Sequence, residues 1–325
     1  MSGNKSNKGR KKDSLSTIYC LTGCTAVGKT EYALSWAEAF GAEIVNCDSL
    51  LFYRGMDIGT AKPDSSERTR VPHHLIDILE PCEQMDVGRY LDLAKEVIRE
   101  IQGRGKRVLV VGGSGFYLKA FFDPVVDAVD VSNDTKEMVS SFMERGLSAA
   151  VEELRDRNPL GIDGLDIENP RRVQKALERC LESGKTLQQL KREFAGQSNS
   201  LTEADKQLCI LTRETEELNE RIASRVGIML DMGLVEEVER LLERGIEENP
   251  SACRSIGYRE TIAYLKGEYD QAQLVERITV NTRRLAKKQR TWFRGQVADR
   301  GRFLDLSADS SVSPAEIFSG LGPGK

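Results

Sequence analysis

The sequence has few of the residues that mark membrane, metal-binding and secreted proteins. No apolar run approaches the ~18 residues that cross a membrane, and the first residues are polar and basic rather than apolar. The two histidines, His73 and His74, are adjacent, and the seven cysteines are scattered without a CxxC pair. These absences argue against a signal peptide and a zinc finger, and they predict a cytoplasmic protein with reduced thiols.

Positive charge is also in the minority. The chain has 47 Lys and Arg against 51 Asp and Glu, which disfavours nucleic-acid binding because neutralised phosphates supply most of that affinity. Residues 283–294 are the exception, since they contain six basic residues and no acid. On a helix Arg283, Lys287, Arg290 and Arg294 share one face, here called the basic ridge. Charge alone leaves open whether this ridge binds RNA or is a solvated face.

The order of predicted elements indicates an α/β fold. Short β-rich segments at 17–21, 43–46 and 108–111 alternate with helical patterns at 31–40 and 87–102. Such alternation predicts a parallel sheet flanked by helices, with ligands bound at the carboxyl ends of the strands.

Helices predominate from 126 to 206, where Asn169 and Pro170 should start one helix and Gly184 should end it. We therefore predict a helical insertion at 126–206 in a core formed by 16–125 and 207–308. A disordered basic tail at 1–15 and a C-terminal tail at 309–325 complete the expected organisation.

A phosphate-binding loop follows the first predicted strand. Gly23-Cys-Thr-Ala-Val-Gly28-Lys29-Thr30 matches G-x-x-x-x-G-K-[ST] between a strand and a helix. Its backbone N–H groups should surround phosphate oxygens, Lys29 should contact the terminal phosphate, and the Thr30 hydroxyl can reach Mg²⁺. The motif does not say whether the phosphate is transferred, hydrolysed or expelled as a leaving group.

Other polar residues follow the predicted strands or share a helix face. Asp48 could be a metal ligand, a ribose ligand, a helix cap or a proton acceptor. Ser114 lies in the turn at 112–115, which is either a plain tight turn or a hydroxyl beside phosphates. Arg221 and Arg225, four residues apart, are either paired surface arginines or a clamp on diphosphate. Position alone does not choose among these alternatives.

A longer segment of the sequence favours one set of these alternatives. Asp48-Ser-Leu-Leu-Phe-Tyr-Arg-Gly-Met-Asp-Ile-Gly-Thr-Ala-Lys-Pro63 resembles the signature of the tRNA dimethylallyltransferases, also called tRNA isopentenyltransferases. Similar blocks follow in family order at 71–77, 110–117, 169–172, 254–259 and 287–294. The resemblance covers most of the chain, whereas a generic P-loop kinase would share only the phosphate loop.

The resemblance implies both a fold and a reaction. The fold is a P-loop NTPase-like core with a helical insertion that closes on tRNA. The reaction is transfer of a dimethylallyl group from dimethylallyl diphosphate to N6 of adenosine 37, next to the anticodon, in tRNAs that read codons beginning with U. The implied cofactor is Mg²⁺ and the implied partner is the tRNA anticodon stem-loop. We expect a monomer without a membrane partner.

The resemblance also implies site residues. Asp48 matches the general base, and Ser114 stands as a second catalytic residue where the family usually has threonine. Cys24 replaces a common proline, and we expect no zinc-finger extension. The implied diphosphate site consists of Gly23, Thr25, Ala26, Val27, Gly28, Lys29, Thr30 and Arg221, with Thr30 on Mg²⁺. The implied tRNA contacts are Asp48, Ser49, Leu50, Leu51, Arg171, Arg172, Arg254, Tyr258, Arg259, Lys287, Lys288, Arg290, Trp292 and Arg294.

Two competing hypotheses make different predictions. An ATP-dependent kinase of a nucleotide or small metabolite would use the same loop and predicts ATP turnover, but it leaves 57–63 and the basic ridge unexplained. A noncatalytic, nucleotide-gated RNA-binding module would make Asp48 incidental. It predicts that Asp48→Ala still binds RNA.

Overall fold

The computed structural model describes residues 16–124, 129–195, 200–307 and 312–319. The predicted basic tail at 1–15 lies outside these residues. The chain divides into two compact units, one formed by Met1–Phe122 with Glu203–Lys325 and one formed by Asp123–Thr202. The second unit therefore ends a few residues before the predicted boundary at 206, because Lys206 already begins a strand of the first unit.

The first unit contains a six-stranded parallel sheet in the described residues, in the order β3-β2-β4-β1-β5-β6. The strands are β1 (Ile18–Gly23), β2 (Ala42–Asn46), β3 (His73–His74), β4 (Arg107–Val111), β5 (Lys206–Thr212) and β6 (Arg302–Asp305). Central strand β1 pairs with β4 on one side and β5 on the other. The predicted parallel sheet is confirmed. The two edge strands β3 and β6 escaped prediction because they are short and only partly buried.

Helices surround the sheet in the first unit and form the second unit. They are α1 (Lys29–Phe40), α2 (Ser65–Arg70), α3 (Val87–Gly103), α4 (Gly115–Lys119), α5 (Asn133–Glu144), α6 (Leu147–Asp156), α7 (Pro170–Ser183), α8 (Leu187–Ala195), α9 (Ser200–Glu203), α10 (Thr215–Asp231), α11 (Leu234–Glu243), α12 (Pro250–Cys253), α13 (Tyr258–Leu265), α14 (Gln271–Gln296) and α15 (Pro314–Ile317), with a 3-10 turn at Ile246–Glu248. Among the described residues, none of the helices is both long enough and apolar enough to cross a membrane.

Local sequence signals set the ends of α7. The Asn169 side chain accepts a hydrogen bond from the N–H of Arg172, and Gly184 ends the helix with a left-handed backbone at φ 66°. Both predicted ends are confirmed. The apolar stripe of α7 then packs in the core of the second unit, with α5, α6 and α8.

The C-terminal segment is more ordered than predicted. Residues from 309 onward were expected to be a tail, but Ile317 and Phe318 are buried against the first unit. The Phe318 ring lies 5.0 Å from Trp36 of α1 and 5.1 Å from Tyr19 of β1, measured between ring centroids. The prediction is wrong for 312–319 because two adjacent apolar residues give no periodic signal that sequence patterns can detect.

Candidate active site

A cleft of about 1360 Å³ opens in the first unit. Its walls come from the loop after β1, the turns that follow β2 and β4, and the helices α10 and α14. These turns are at the carboxyl ends of parallel strands, where doubly wound sheets bind their ligands. The cleft therefore collects most of the residues that the sequence singles out.

The phosphate loop forms one wall of the cleft. Gly28 takes φ 108° at the start of α1, a backbone conformation that side chains disfavour. The Lys29 Nζ donates hydrogen bonds to the carbonyl oxygens of Gly23 and Cys24, each at 3.0 Å. Burial lowers the pKa of Lys29, and the nearby Asp48 carboxylate opposes that shift. Thr30 also lines the cleft, whereas the Val27 side chain is fully buried.

Asp48 and Ser114 face the same cleft from neighbouring turns. The Asp48 Oδ1 accepts a hydrogen bond from the N–H of Leu50 at 3.2 Å, which orients the carboxylate at the end of β2. The Ser114 Oγ accepts from the N–H of Ser49 at 2.9 Å and donates to its Oγ at 3.1 Å. Ser114 therefore connects the turn after β4 to the turn that carries Asp48.

Two arginines of α10 also line the cleft. The Arg221 Nε donates to the carbonyl of Ala26 at 2.9 Å, and the Arg225 Nη2 donates to the carbonyl of Thr60 at 3.2 Å. Burial lowers the pKa of Arg225, the Arg221 charge adds to this effect and Asp48 opposes it. Arg221 is exposed and Arg225 is half-buried, and each guanidinium group binds a backbone carbonyl in a wall of the cleft.

The signature string forms another wall, anchored by a carboxylate that sequence analysis missed. Glu237 of α11 is 3% exposed, and its Oε2 accepts hydrogen bonds from the N–H groups of Asp57 at 3.0 Å and Ile58 at 2.7 Å. Its Oε1 accepts from the N–H of Gly59 at 3.1 Å and the hydroxyl of Tyr258 at 2.7 Å. All four donors converge on one buried side chain, so it fixes the backbone at 57–59.

The far end of the string is anchored by Lys62. Its side chain is 1% exposed, and its Nζ lies 2.7 Å from Asp57 Oδ1 and 2.5 Å from Asp77 Oδ1. It also donates to the carbonyl of Tyr53 at 2.7 Å. A buried lysine with two carboxylate partners is thus a second anchor of the loop 57–62, besides Glu237.

Gln289 of α14 is a second residue that the sequence analysis left unassigned. Its Oε1 accepts a hydrogen bond from the N–H of Thr25 at 2.9 Å, and its Nε2 donates to the carbonyl of Gly113 at 3.0 Å. One side chain thus connects the phosphate loop to the turn after β4. The only sequence feature that could have pointed to Gln289 is its position as an uncharged amide within the basic segment 283–294.

The basic ridge is divided by the tertiary structure. Arg290 donates to the Thr215 Oγ1 at 2.8 Å and Arg283 to the carbonyl of Asn219 at 3.4 Å, so both are directed at α10. Lys287 and Arg294 are exposed. The face of α14 that lines the cleft includes Lys288, Leu285, Gln289 and Trp292 instead.

The other predicted tRNA contacts differ in their surroundings. Tyr258 is fully buried with its hydroxyl on Glu237, so the prediction of a direct contact is wrong and its role is structural. Arg259 is exposed and pairs with Glu260. Arg254 lines the cleft with the predicted residues Ser49, Leu50 and Leu51. Arg171 and Arg172 are exposed on α7 of the second unit.

The residues that the structure describes contain no group of three or more His, Cys, Asp or Glu that could hold a metal ion. Mg²⁺ is commonly held by one or two protein oxygens together with substrate phosphates rather than by a complete protein cage. The Thr30 hydroxyl in the cleft fits such an incomplete protein site.

Comparison with known sequences gives consistent results. The family model for IPP transferase matches residues 51–296. A tRNA dimethylallyltransferase of Opitutus terrae is 56% identical over 282 residues, which cover 87% of this chain and 91% of the relative. A tRNA dimethylallyltransferase of Pelotomaculum thermopropionicum is 38% identical over 305 residues, which cover 92% of this chain and 95% of the relative. The family-model match begins after the phosphate loop and Asp48.

Solved structures are similar over comparable lengths. The full-length tRNA isopentenylpyrophosphate transferase of Bacillus halodurans superposes with a TM-score of 0.65 at 32% identity, covering 91% of this chain and 92% of that one. A eukaryotic dimethylallyltransferase acting on tRNA superposes with a TM-score of 0.77 at 25% identity, covering 90% of this chain and 74% of that one.

Proposed function

Because this chain belongs to the IPP transferase family, we propose that it transfers a dimethylallyl group from dimethylallyl diphosphate to N6 of adenosine 37 in tRNA. The tRNAs concerned are those that read codons beginning with U. Prenyl transfer to tRNA is the activity of the family. The observation that carries the proposal is the position of the Asp48 carboxylate in one cleft with the phosphate loop, Lys29 and Arg221.

The acceptor needs a base. The N6 lone pair of adenine is delocalised into the ring, so the amine is a weak nucleophile. The Asp48 carboxylate accepts the amine proton as the nitrogen–carbon bond forms, and hydrogen bonding to the Leu50 N–H keeps this carboxylate oriented. Ser114 supports the reaction by holding Ser49, the next residue of the same turn.

The donor needs a stabilised leaving group. As the allylic carbon–oxygen bond breaks, the electron pair stays on diphosphate, whose growing charge is offset by Lys29, Arg221 and the loop N–H groups of Gly23 to Thr30. Mg²⁺, held by Thr30 and phosphate oxygens, would supply further positive charge. The phosphate loop therefore serves departure of diphosphate rather than phosphoryl transfer.

The acceptor adenosine must leave its stack to reach the cleft, which costs least in a single-stranded loop. We propose that Ser49, Leu50, Leu51, Arg254, Lys288 and Trp292 contact it or its neighbours at the cleft. Exposed Arg171, Arg172, Arg259, Lys287 and Arg294, with half-buried Arg290, are proposed to bind the tRNA backbone.

We further propose a monomeric enzyme that works in the cytoplasm. All seven cysteines are free thiols, which fits a reducing compartment. Four of them, Cys20, Cys24, Cys47 and Cys209, are buried in the first unit, where burial raises their pKa and keeps them protonated.

The test is transfer of labelled dimethylallyl diphosphate to unmodified tRNA with Mg²⁺, run beside an ATP-hydrolysis assay. Asp48→Asn, which keeps the shape and removes the base, should lower kcat by about 10²–10⁴-fold with tRNA binding retained. Asp92→Asn, at an exposed carboxylate of α3, is the matched control and should match the wild type. ATP consumption without labelled tRNA would instead establish the kinase. Full activity in Asp48→Asn would remove Asp48 as the base.

A further inference from the structure

Three cations of the cleft rest on backbone carbonyls rather than on carboxylates. Lys29 contacts the carbonyls of Gly23 and Cys24, Arg221 that of Ala26, and Arg225 that of Thr60. Among the described residues, none of the three has a carboxylate oxygen within 4.0 Å. Lys29 and Arg225 are half-buried and Arg221 is exposed. Carbonyl dipoles compensate a cation removed from water only partly, so the site favours an anion with several charges.

Arg225 differs from the other two because it has no partner in the phosphate loop. It instead donates a hydrogen bond to the Thr60 carbonyl, which belongs to the signature string at 48–63. It lies one helical turn after Arg221 on α10, so both guanidinium groups face the same space.

The carbonyl that receives Arg225 is itself held in place. Glu237 binds the N–H groups of Asp57, Ile58 and Gly59, and the Thr60 hydroxyl donates back to the carbonyl of Met56 at 2.7 Å. A displacement of the Glu237 carboxylate would therefore move the backbone at 57–60, and with it the acceptor of the Arg225 guanidinium.

We propose that Arg225 is a further diphosphate-binding residue and that Glu237 is its positioning residue, acting through the loop 57–60 and the Thr60 carbonyl. The inference rests on the proposed function for the identity of the anion. The prenyl donor then binds between two clusters, the phosphate loop with Lys29 on one side and the Glu237-anchored loop with Arg225 on the other.

A different role for Arg225 makes a different prediction. The Asp48 charge acts on Arg225, so the arginine could serve only as a fixed counter-charge for the base. In that case its removal would shift the pH dependence of kcat and leave the affinity for diphosphate unchanged. The affinity itself therefore decides between the two roles.

The experiment measures binding of inorganic diphosphate with Mg²⁺ by calorimetry, which requires no acceptor and no chemistry. We expect Arg225→Gln to weaken binding about tenfold or more and Arg225→Lys to restore part of the loss, since lysine keeps the charge without the fork. Arg277→Gln is the matched control, because Arg277 lies outside the cleft and stacks on Tyr269. It should bind like the wild type.

A double-mutant cycle tests the positioning role. Glu237→Gln replaces one acceptor oxygen by an amino group that faces N–H donors, so it should also weaken diphosphate binding. If Glu237 acts through Arg225, the double variant should bind no more weakly than Arg225→Gln alone. Tyr258→Phe removes a single hydrogen bond from Glu237 and should give a smaller loss in the same direction, which keeps the cycle available if Glu237→Gln does not fold.

Glu178→Gln provides a control for loss of a buried carboxylate. Glu178 is 1% exposed in the second unit and bonds Lys175 and Gln174, so its substitution should lower stability without changing diphosphate affinity. Wild-type affinity in Arg225→Gln, or additive losses in the double variant, would overturn the inference. Failure of the wild type to label tRNA would refute the proposed function. The diphosphate affinities of the variants test the roles of Arg225 and Glu237 independently of that result.

Discussion

The amide of Gln289, near the end of the long helix α14, receives a hydrogen bond from the N–H of Thr25 in the phosphate loop at 2.9 Å. The same amide donates to the carbonyl of Gly113 at 3.0 Å. Two loops that follow different strands are thereby held in register by one side chain from a third element. Because both partners are backbone groups, the contact fixes the shape of the loop rather than the conformation of another side chain.

Gln289→Leu should leave the Thr25 N–H and the Gly113 carbonyl without their protein partner. We expect the KM for dimethylallyl diphosphate to rise about tenfold, as expected for the loss of one to two hydrogen bonds that shape the phosphate loop. Steady-state kinetics would measure this. Arg284→Leu, at an exposed residue of α14 outside the cleft, is the control for that measurement. An unchanged KM would show that the loop keeps its shape without Gln289.

Gly115→Ala should disturb the face of the cleft that Trp292 forms. A Cβ built at Gly115 would lie 2.6 Å from the Trp292 ring, so the indole or α4 must move. Overpacking of this kind costs about 1–3 kcal/mol. We expect a lower melting temperature and a change in Trp fluorescence. Gly227→Ala is the control, since a Cβ there meets no atom within 4 Å and alanine favours the interior of α10.

The Asp77 carboxylate should make the free energy of unfolding fall at acidic pH. Burial tends to raise its pKa, but hydrogen bonds from Lys62 and Arg68 outweigh burial and hold the pKa below the ordinary value. A depressed folded-state pKa adds stability above the unfolded pKa of about 3.9, and this contribution is lost as the pH falls through the folded value.

Asp77→Asn should therefore reduce the free energy of unfolding at pH 7 and flatten its decline below pH 4. The loss should be about 1–3 kcal/mol, because Lys62 keeps Asp57 as a partner. Urea titrations at pH 3 to 7 would measure it. If the free energy of unfolding of this variant declined below pH 4 as in the wild type, Asp77 would not cause the decline. Asp92→Asn, at an exposed carboxylate, is the control and should behave like the wild type.

Phe318→Ala should destabilise the first unit although the residue lies close to the chain terminus. The ring is 7% exposed and packs on Trp36 and Tyr19, so its removal should cost about 3–5 kcal/mol. Phe303→Ala removes the same ring from a strand where it is 40% exposed and should cost clearly less. Equal losses in thermal unfolding would contradict the packing described for the C-terminal segment.

The strands β1, β2 and β4, the phosphate loop and the ends of α7 could be predicted because their signals are local. The loop motif between strand and helix is contained in eight residues, and the cap of α7 involves Asn169 and the N–H three residues later. The order of family-like blocks then indicated the reaction. In each case the sequence neighbours that form the signal are also the neighbours that interact.

Long-range contacts gave no such signal. Gln289 and Thr25 are 264 residues apart, and Glu237 and Asp57 are 180 apart, so a polar residue in a helical pattern revealed nothing about its partner. The same limit explains the basic ridge, where helical spacing placed four cations on one face but only the packing of α14 on α10 decided that Arg283 and Arg290 donate to α10. Sequence determined which chemical groups are available and the local backbone that presents phosphate-binding N–H groups. Tertiary packing decided which side chains converge on the cleft, because convergence depends on how the helices dock on the sheet.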